Sequence, residues 1–256
     1  MIEILSKYTP AETYFILKEA DVGLKELMKY TLMDLLFKRV LEMNTEHKNE
    51  SRGEKAKVYN YVRVGREFTH YKPLPHEMIY LSPYYKSKSI RILFQHLISM
   101  GIQNAGSEKK YIQNNFLKRE EMKHFFVSSR FAIFFTRLNL SDRGRSEKES
   151  LLQTLGRVDV SLADSILNVT GKGRSDVSTI GGNIFLLEKA RSKVLQKISY
   201  QLKEDLQRSV GSYDFMTWIA FESYEMLFNT IFDELNSSNT GSDSGCNSCS
   251  ILYGVI

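Results

Sequence analysis

The sequence predicts an α+β chain, mostly helical, with two small units of three helices and a β-ribbon each, then a C-terminal helical hairpin. Three observations predict it. Apolar residues recur at spacings of three and four over much of the chain, the mark of helices that bury one face. One run alternates, with Val58, Asn60, Val62 and Val64 on one side and Tyr59, Tyr61 and Arg63 on the other, as a half-exposed strand does. Finally, the helix start at Pro10 and Glu12 is echoed at Pro75 and Glu77, the kind of self-similarity that two related folding units leave.

Taken in order, Thr9 suits a helix cap, Pro10 the first helical position and Glu12 the third member of a capping box, so a helix runs from there to about Ala20. Asp21 to Gly23 break it. Leu24, Leu27, Met28, Leu32, Leu35 and Leu36 then continue a helical face, which Thr31 restarts as a second short helix. Residues 40–43 and 58–64 form a ribbon around the charged stretch 44–57. The second unit opens at Leu74, Pro75, His76 and Glu77. It continues through a helical face of Ile90, Leu93, Phe94, Leu97 and Ile98, a third helix over 108–125 and a strand over 131–138. A charged helix over 146–155 follows. These boundaries give unit 1 as residues 1–72, unit 2 as 73–158, a Gly-containing linker as 159–183, the hairpin as 184–235 and a flexible Ser/Gly/Asn tail as 236–256.

Composition narrows the function classes. The 256 residues are 42% hydrophobic and 25% charged, ordinary values for a folded chain. No apolar run reaches the roughly 18–20 residues a membrane span needs. The polar start does not resemble a secretory signal, so a cytoplasmic location is expected. The two cysteines, Cys246 and Cys249, both lie near the C-terminal end, so no disulfide framework is expected in the body. Charge is uneven: residues 76–160 hold 14 Lys and Arg against 8 Asp and Glu, while 161–256 hold 8 against 11. A basic middle attracts polyanions.

The order of elements resembles the winged helix-turn-helix superfamily in tandem. The resemblance rests on the helix-opening segments at Thr9 to Glu12 and Leu74 to Glu77, and on Leu138 to Arg145, which looks like the strand, turn and helix start that closes such a domain. The chain also loosely resembles uncharacterised bacterial families that end in a Gly- and Cys-rich tail. No functional residue transfers from either resemblance.

Candidate residues follow from chemistry. If the helix over 108–125 reads DNA, Lys109, Lys110, Lys118 and Arg119 neutralise phosphates or read guanine, and Gln113 and Asn114 pair with adenine edges. Lys86 and Lys88 add phosphate contacts. The corresponding helix of unit 1, over 31–40, is mostly Leu, Met and Phe and suits packing instead. Phe215, Trp218, Phe221 and Phe228 exceed what one buried stripe needs and form a candidate surface for another chain. Cys246 and Cys249 make one C-x-x-C pair, which is short of a four-ligand zinc site and is read as a pair of reactive thiols. The histidines are scattered, the glycines near 171–173 lack phosphate-loop spacing, and no nucleophile elbow is present. No metal or cofactor is expected.

The leading expectation is therefore a non-enzymatic binding protein of winged-helix type with a protein-interaction or scaffold role, its partner a different protein or a second copy of the chain. A DNA-binding transcriptional regulator using the 108–125 helix is the alternative. An enzyme with a site assembled from distant residues is the second alternative.

Overall fold

The computed structural model describes residues 3–48, 57–127, 138–168, 180–192 and 213–239. The fold class is as expected: mostly helical, with a small three-stranded antiparallel sheet in the order β1-β2-β3.

A short turn of helix, α1 (Glu3–Ser6), leads to α2 (Pro10–Lys18). Thr9 and Glu12 form the expected capping box: the Thr9 hydroxyl accepts from the Glu12 N–H, and the Glu12 carboxylate accepts from the Thr9 N–H at 2.8 Å. Next, α3 (Leu24–Phe37) runs as one helix, without the expected restart at Thr31. The Thr31 hydroxyl bonds back to the Leu27 carbonyl at 2.7 Å, so its polar group is satisfied inside the helix and no break is needed. The helix stops where Arg39 adopts φ +55° and the N–H groups of Arg39 and Val40 turn back to the carbonyls of Leu36 and Leu35, a left-handed cap.

Strands β1 (Leu41–Lys48) and β2 (Lys57–Val64) pair in register from Leu41 opposite Val64 to Lys48 opposite Lys57. The predicted alternation is seen at the inner end of the ribbon, where Val62 is fully buried and Arg63 exposed, whereas Val58 near the tip is exposed on the same side as Val62. After a 3-10 turn at Pro75–Glu77 and α4 (Met78–Lys86), the two-residue β3 (Ile92–Leu93) adds to β2. It thus crosses from the predicted second unit into the sheet of the first. Helix α5 (Phe94–Ala105) lies close on α4: a Cβ at Gly101 would sit 2.7 Å from the Tyr80 ring, so glycine sets the approach.

The predicted helix over 108–125 is not continuous. It comprises α6 (Glu108–Ile112), a π-helical segment Gln113–Leu117, and α7 (Glu120–Lys123). The wider turn lets Tyr111, Ile112 and Phe116 all reach the core, where Phe116 packs on Phe15. Beyond it, Phe126 bridges Leu140 antiparallel, with the Val127 N–H on the Asn139 carbonyl. Apart from Leu138, the predicted strand over 131–138 lies outside the described residues.

Helix α8 (Asp142–Asn168) is far longer than the expected 146–155 and absorbs the first ten residues of the predicted linker. The reason is a continued apolar face of Leu151, Leu155, Val158 and Leu162, all buried, which extends past Gly156. The other end of that linker is packed structure too. Gly181–Leu186 is a 3-10 helix whose buried Asn183 donates to the carbonyls of Leu5 and Tyr8 at 2.6 and 2.8 Å. Residues 188–192 are helical, capped by Asp159, whose carboxylate accepts from the N–H groups of Lys189 and Ala190. The remainder of the predicted helix over 184–207 lies outside the described residues. Helix α9 (Tyr213–Asn239) matches the second helix of the predicted hairpin and packs on α3 and α5. Buried apolar side chains from 5 to 232 form one continuous cluster. No described helix is long and apolar enough to cross a membrane.

Candidate nucleic-acid interface

The two faces of the sheet differ in chemistry. Leu41, Met43, Val62 and Val64 turn one face to the core, and strand alternation then puts Glu42, Glu46, Lys48, Lys57, Tyr59, Tyr61 and Arg63 on the other. Leu93 opposite Tyr61 places Arg91 on this outer face as well. There the Arg91 guanidinium lies 4.9 Å from the centroid of the Tyr61 ring, and the Lys48 ammonium lies 5.5 and 5.7 Å from the rings of Tyr61 and Tyr59. Glu46 pairs with both Arg91 and Lys48, and Glu42 pairs with Arg63 at 3.3 Å. Among the described residues, four cations thus outnumber two carboxylates on a face that also presents two aromatic rings. Lys86 and Lys88, expected as phosphate contacts, are exposed on the connection from α4 that leads to Arg91.

The other predicted residues separate into different surroundings. Lys109 and Lys110 on α6, Asn114 on the π-helical segment and Lys118 just after it are exposed, with the Lys118 ammonium donating to Asn114 at 2.8 Å. Gln113 is half-buried. Arg119 is not available to DNA: its guanidinium pairs with the buried Glu12 carboxylate and, at 3.3 Å, with Glu121. The candidate protein-contact residues Phe221 and Phe228 are buried within the chain itself, Phe221 against Phe185 and Phe37. Their rings pack toward α3, α5 and the 181–186 turn. Phe215 and Trp218 lie in the first turns of α9, where side chains fall outside the described residues, as do Cys246 and Cys249 entirely. Sequence reasoning missed Arg91, Tyr59 and Tyr61 as candidates. The alternation of 58–64 had already put both tyrosines on the outer side, but only β3 pairing brings Arg91 beside them.

The two echoing helix starts meet in space. Glu77 accepts from the Leu74 N–H at 2.7 Å and from the Tyr71 hydroxyl at 2.6 Å, as Glu12 accepts from Thr9 and pairs with Arg119. Thr9 Oγ1 lies 3.3 Å from His76 Nε2. Because that hydroxyl donates to Glu12, Nε2 must be the protonated nitrogen. Nδ1 is then left with no hydrogen-bond partner among the described residues. The imidazole is fully buried and stacks on Phe116. Burial, with a lesser push from Lys38, lowers its pKa to about 3.

The unfolded chain therefore binds a proton on His76 below about pH 6.5 that the native state refuses down to about 3, so this group costs stability as pH falls, about 1.4 kcal/mol per unit. Asp34 and Glu77 act oppositely. Burial raises their carboxyl pKa values, so the native state takes up protons first and their burden eases as pH falls. Urea unfolding at pH 6.5 and pH 5, compared between the parent and His76→Phe, isolates the histidine. The parent should lose about 2 kcal/mol more than the variant over that interval. Equal losses would show that the imidazole titrates normally.

Among the described residues, no three or more His, Cys, Asp and Glu side chains are grouped to hold a metal. A small cleft lined by Met33, Phe185, Arg191, Phe221, Glu222 and Glu225 has room only for a water-sized group. No protein-family model, no curated protein and no solved structure matches this chain.

Proposed function

We propose that this chain is a nucleic-acid-binding protein that works through the outer face of its sheet and the basic connection leading into it. The observation that carries this reading is the convergence of Lys48, Lys57, Arg63 and Arg91 on one sheet face, with Lys86 and Lys88 exposed on the adjoining segment. Cations arrayed on a rigid scaffold neutralise successive phosphates and release their counterions. The protein-interaction role expected from the sequence draws less support from Phe221 and Phe228, which pack inside the chain. The DNA-reading helix over 108–125 is also less suited than expected, since it is broken by the π-helical segment and Arg119 is committed to Glu12. Its exposed Lys109, Lys110 and Lys118 remain a basic surface.

Fluorescence anisotropy with labelled random-sequence oligonucleotides tests the reading. With about four phosphates neutralised, affinity should fall by about a hundredfold between 50 and 200 mM salt. Replacing Lys86 and Lys88 together with Ala should weaken binding for every sequence alike and flatten the salt slope by up to about two. Undetectable binding at the lowest salt would end this proposal.

A further inference from the structure

The outer sheet face carries more than charge, and resting on the nucleic-acid reading above, we infer that its preferred ligand is a single strand, whose bases stack on Tyr59 and Tyr61 while Lys48, Arg63 and Arg91 hold the flanking phosphates. The two tyrosines are alternate residues of β2. Their rings are near-parallel, at 26°, with centroids 6.4 Å apart. Neither is needed for the core, which β2 reaches from its opposite face through Val62.

Duplex DNA stacks its bases on one another and shows only their edges in the grooves, so a pair of half-buried tyrosine rings on a sheet face has no π-face to meet there. An unpaired strand offers those faces at every nucleotide, and aromatic side chains on sheets bind them with little regard to sequence. Charge complementarity points the same way. Lys48 and Arg91 rest against the rings themselves, so a base laid on a ring has its phosphates within reach of both. Glu46 pairs with both of these cations and holds them over the rings, from which an incoming base displaces them onto its own phosphates. An acidic peptide could satisfy the cations but would leave the rings unused.

The test uses the full chain, labelled oligothymidylate and oligouridylate as single strands, a random-sequence duplex, and polyglutamate. The parent should bind the single strands at least about tenfold more tightly than the duplex or polyglutamate. Tyr59→Ala with Tyr61→Ala should remove about tenfold or more of the single-strand affinity and leave duplex affinity unchanged. The corresponding double Phe variant, which keeps both rings, should bind as the parent does. Ultraviolet crosslinking of the unmodified chain to oligothymidylate, read by mass spectrometry, is independent of any effect on folding and should mark Tyr59 or Tyr61. Equal affinity for single strand and duplex, or crosslinks only to other segments, would overturn this inference and leave the broader reading standing. Binding no nucleic acid at all would remove both.

Discussion

Glu12→Ala should destabilise the fold by about 3–5 kcal/mol, the cost of leaving a largely buried charge without its partner. The side chains of Glu12 and Arg119 are only 3% and 15% exposed. Removing the carboxylate strands the guanidinium in the core, since the remaining partner, Glu121, is 65% exposed and gives little in water. It also releases the Thr9 N–H from the capping box, a loss of about 1 kcal/mol at a helix start. Urea denaturation checks the prediction. Arg119→Ala should cost a similar amount, and the double variant should cost clearly less than the sum, because each single change leaves an orphaned charge. Additive losses would mean that the two groups do not pair. A fall in nucleic-acid affinity in Arg119→Ala should likewise follow lost folding and not a lost phosphate contact.

Phe228→Ala should cost about 3–5 kcal/mol, the range for truncating a buried aromatic ring. Phe228 is fully buried and stacks on Phe232, and the helix that carries both packs on α3 and α5. Its anchorage is polar as well. Glu225 pairs with Lys29 of α3 at 3.0 Å and with Arg191 at 2.9 Å, and Arg191 also pairs with Glu222. The Lys29 and Glu225 side chains are 9% and 17% exposed. Loss of the ring should therefore loosen α9 as a unit, visible as faster cleavage within 221–239 by a protease alongside a lower denaturation midpoint. Met226→Ala on the exposed side of the same helix should change stability by less than about 0.5 kcal/mol. If both variants behave alike, α9 is not docked as described.

Local signals in this chain were legible because each acts over a few residues. The capping box at Thr9 and Glu12 is formed by groups three positions apart, and the alternation of 58–64 needs only the pleat of a strand. The helix over 213–235 announces itself by apolar spacing alone. The errors share a different cause. The glycine-containing stretch 159–183 reads as a linker, yet Leu151, Leu155, Val158 and Leu162 gain enough burial to carry a helix past Gly156 into it, and Asn183 ties its other end to Leu5 and Tyr8. A glycine weakens a helix by about 1 kcal/mol, which tertiary packing readily exceeds.

The candidate interface shows the same division more sharply. That Tyr59, Tyr61 and Arg63 share a side follows from their order along one strand. That Arg91 joins them depends on β3 pairing with β2 across some thirty residues of chain, which no local pattern encodes. Likewise, composition marked Arg119 as a cation on a polar helix, and only its meeting with Glu12, more than a hundred positions earlier, turned it into a structural ion pair. Helix and strand character, caps and the uneven charge arise from neighbours along the chain. Which charges are neutralised inside, which aromatic rings are spent on the core and which remain outside depend on contacts between distant segments, because burial and Coulomb energies follow distance in space.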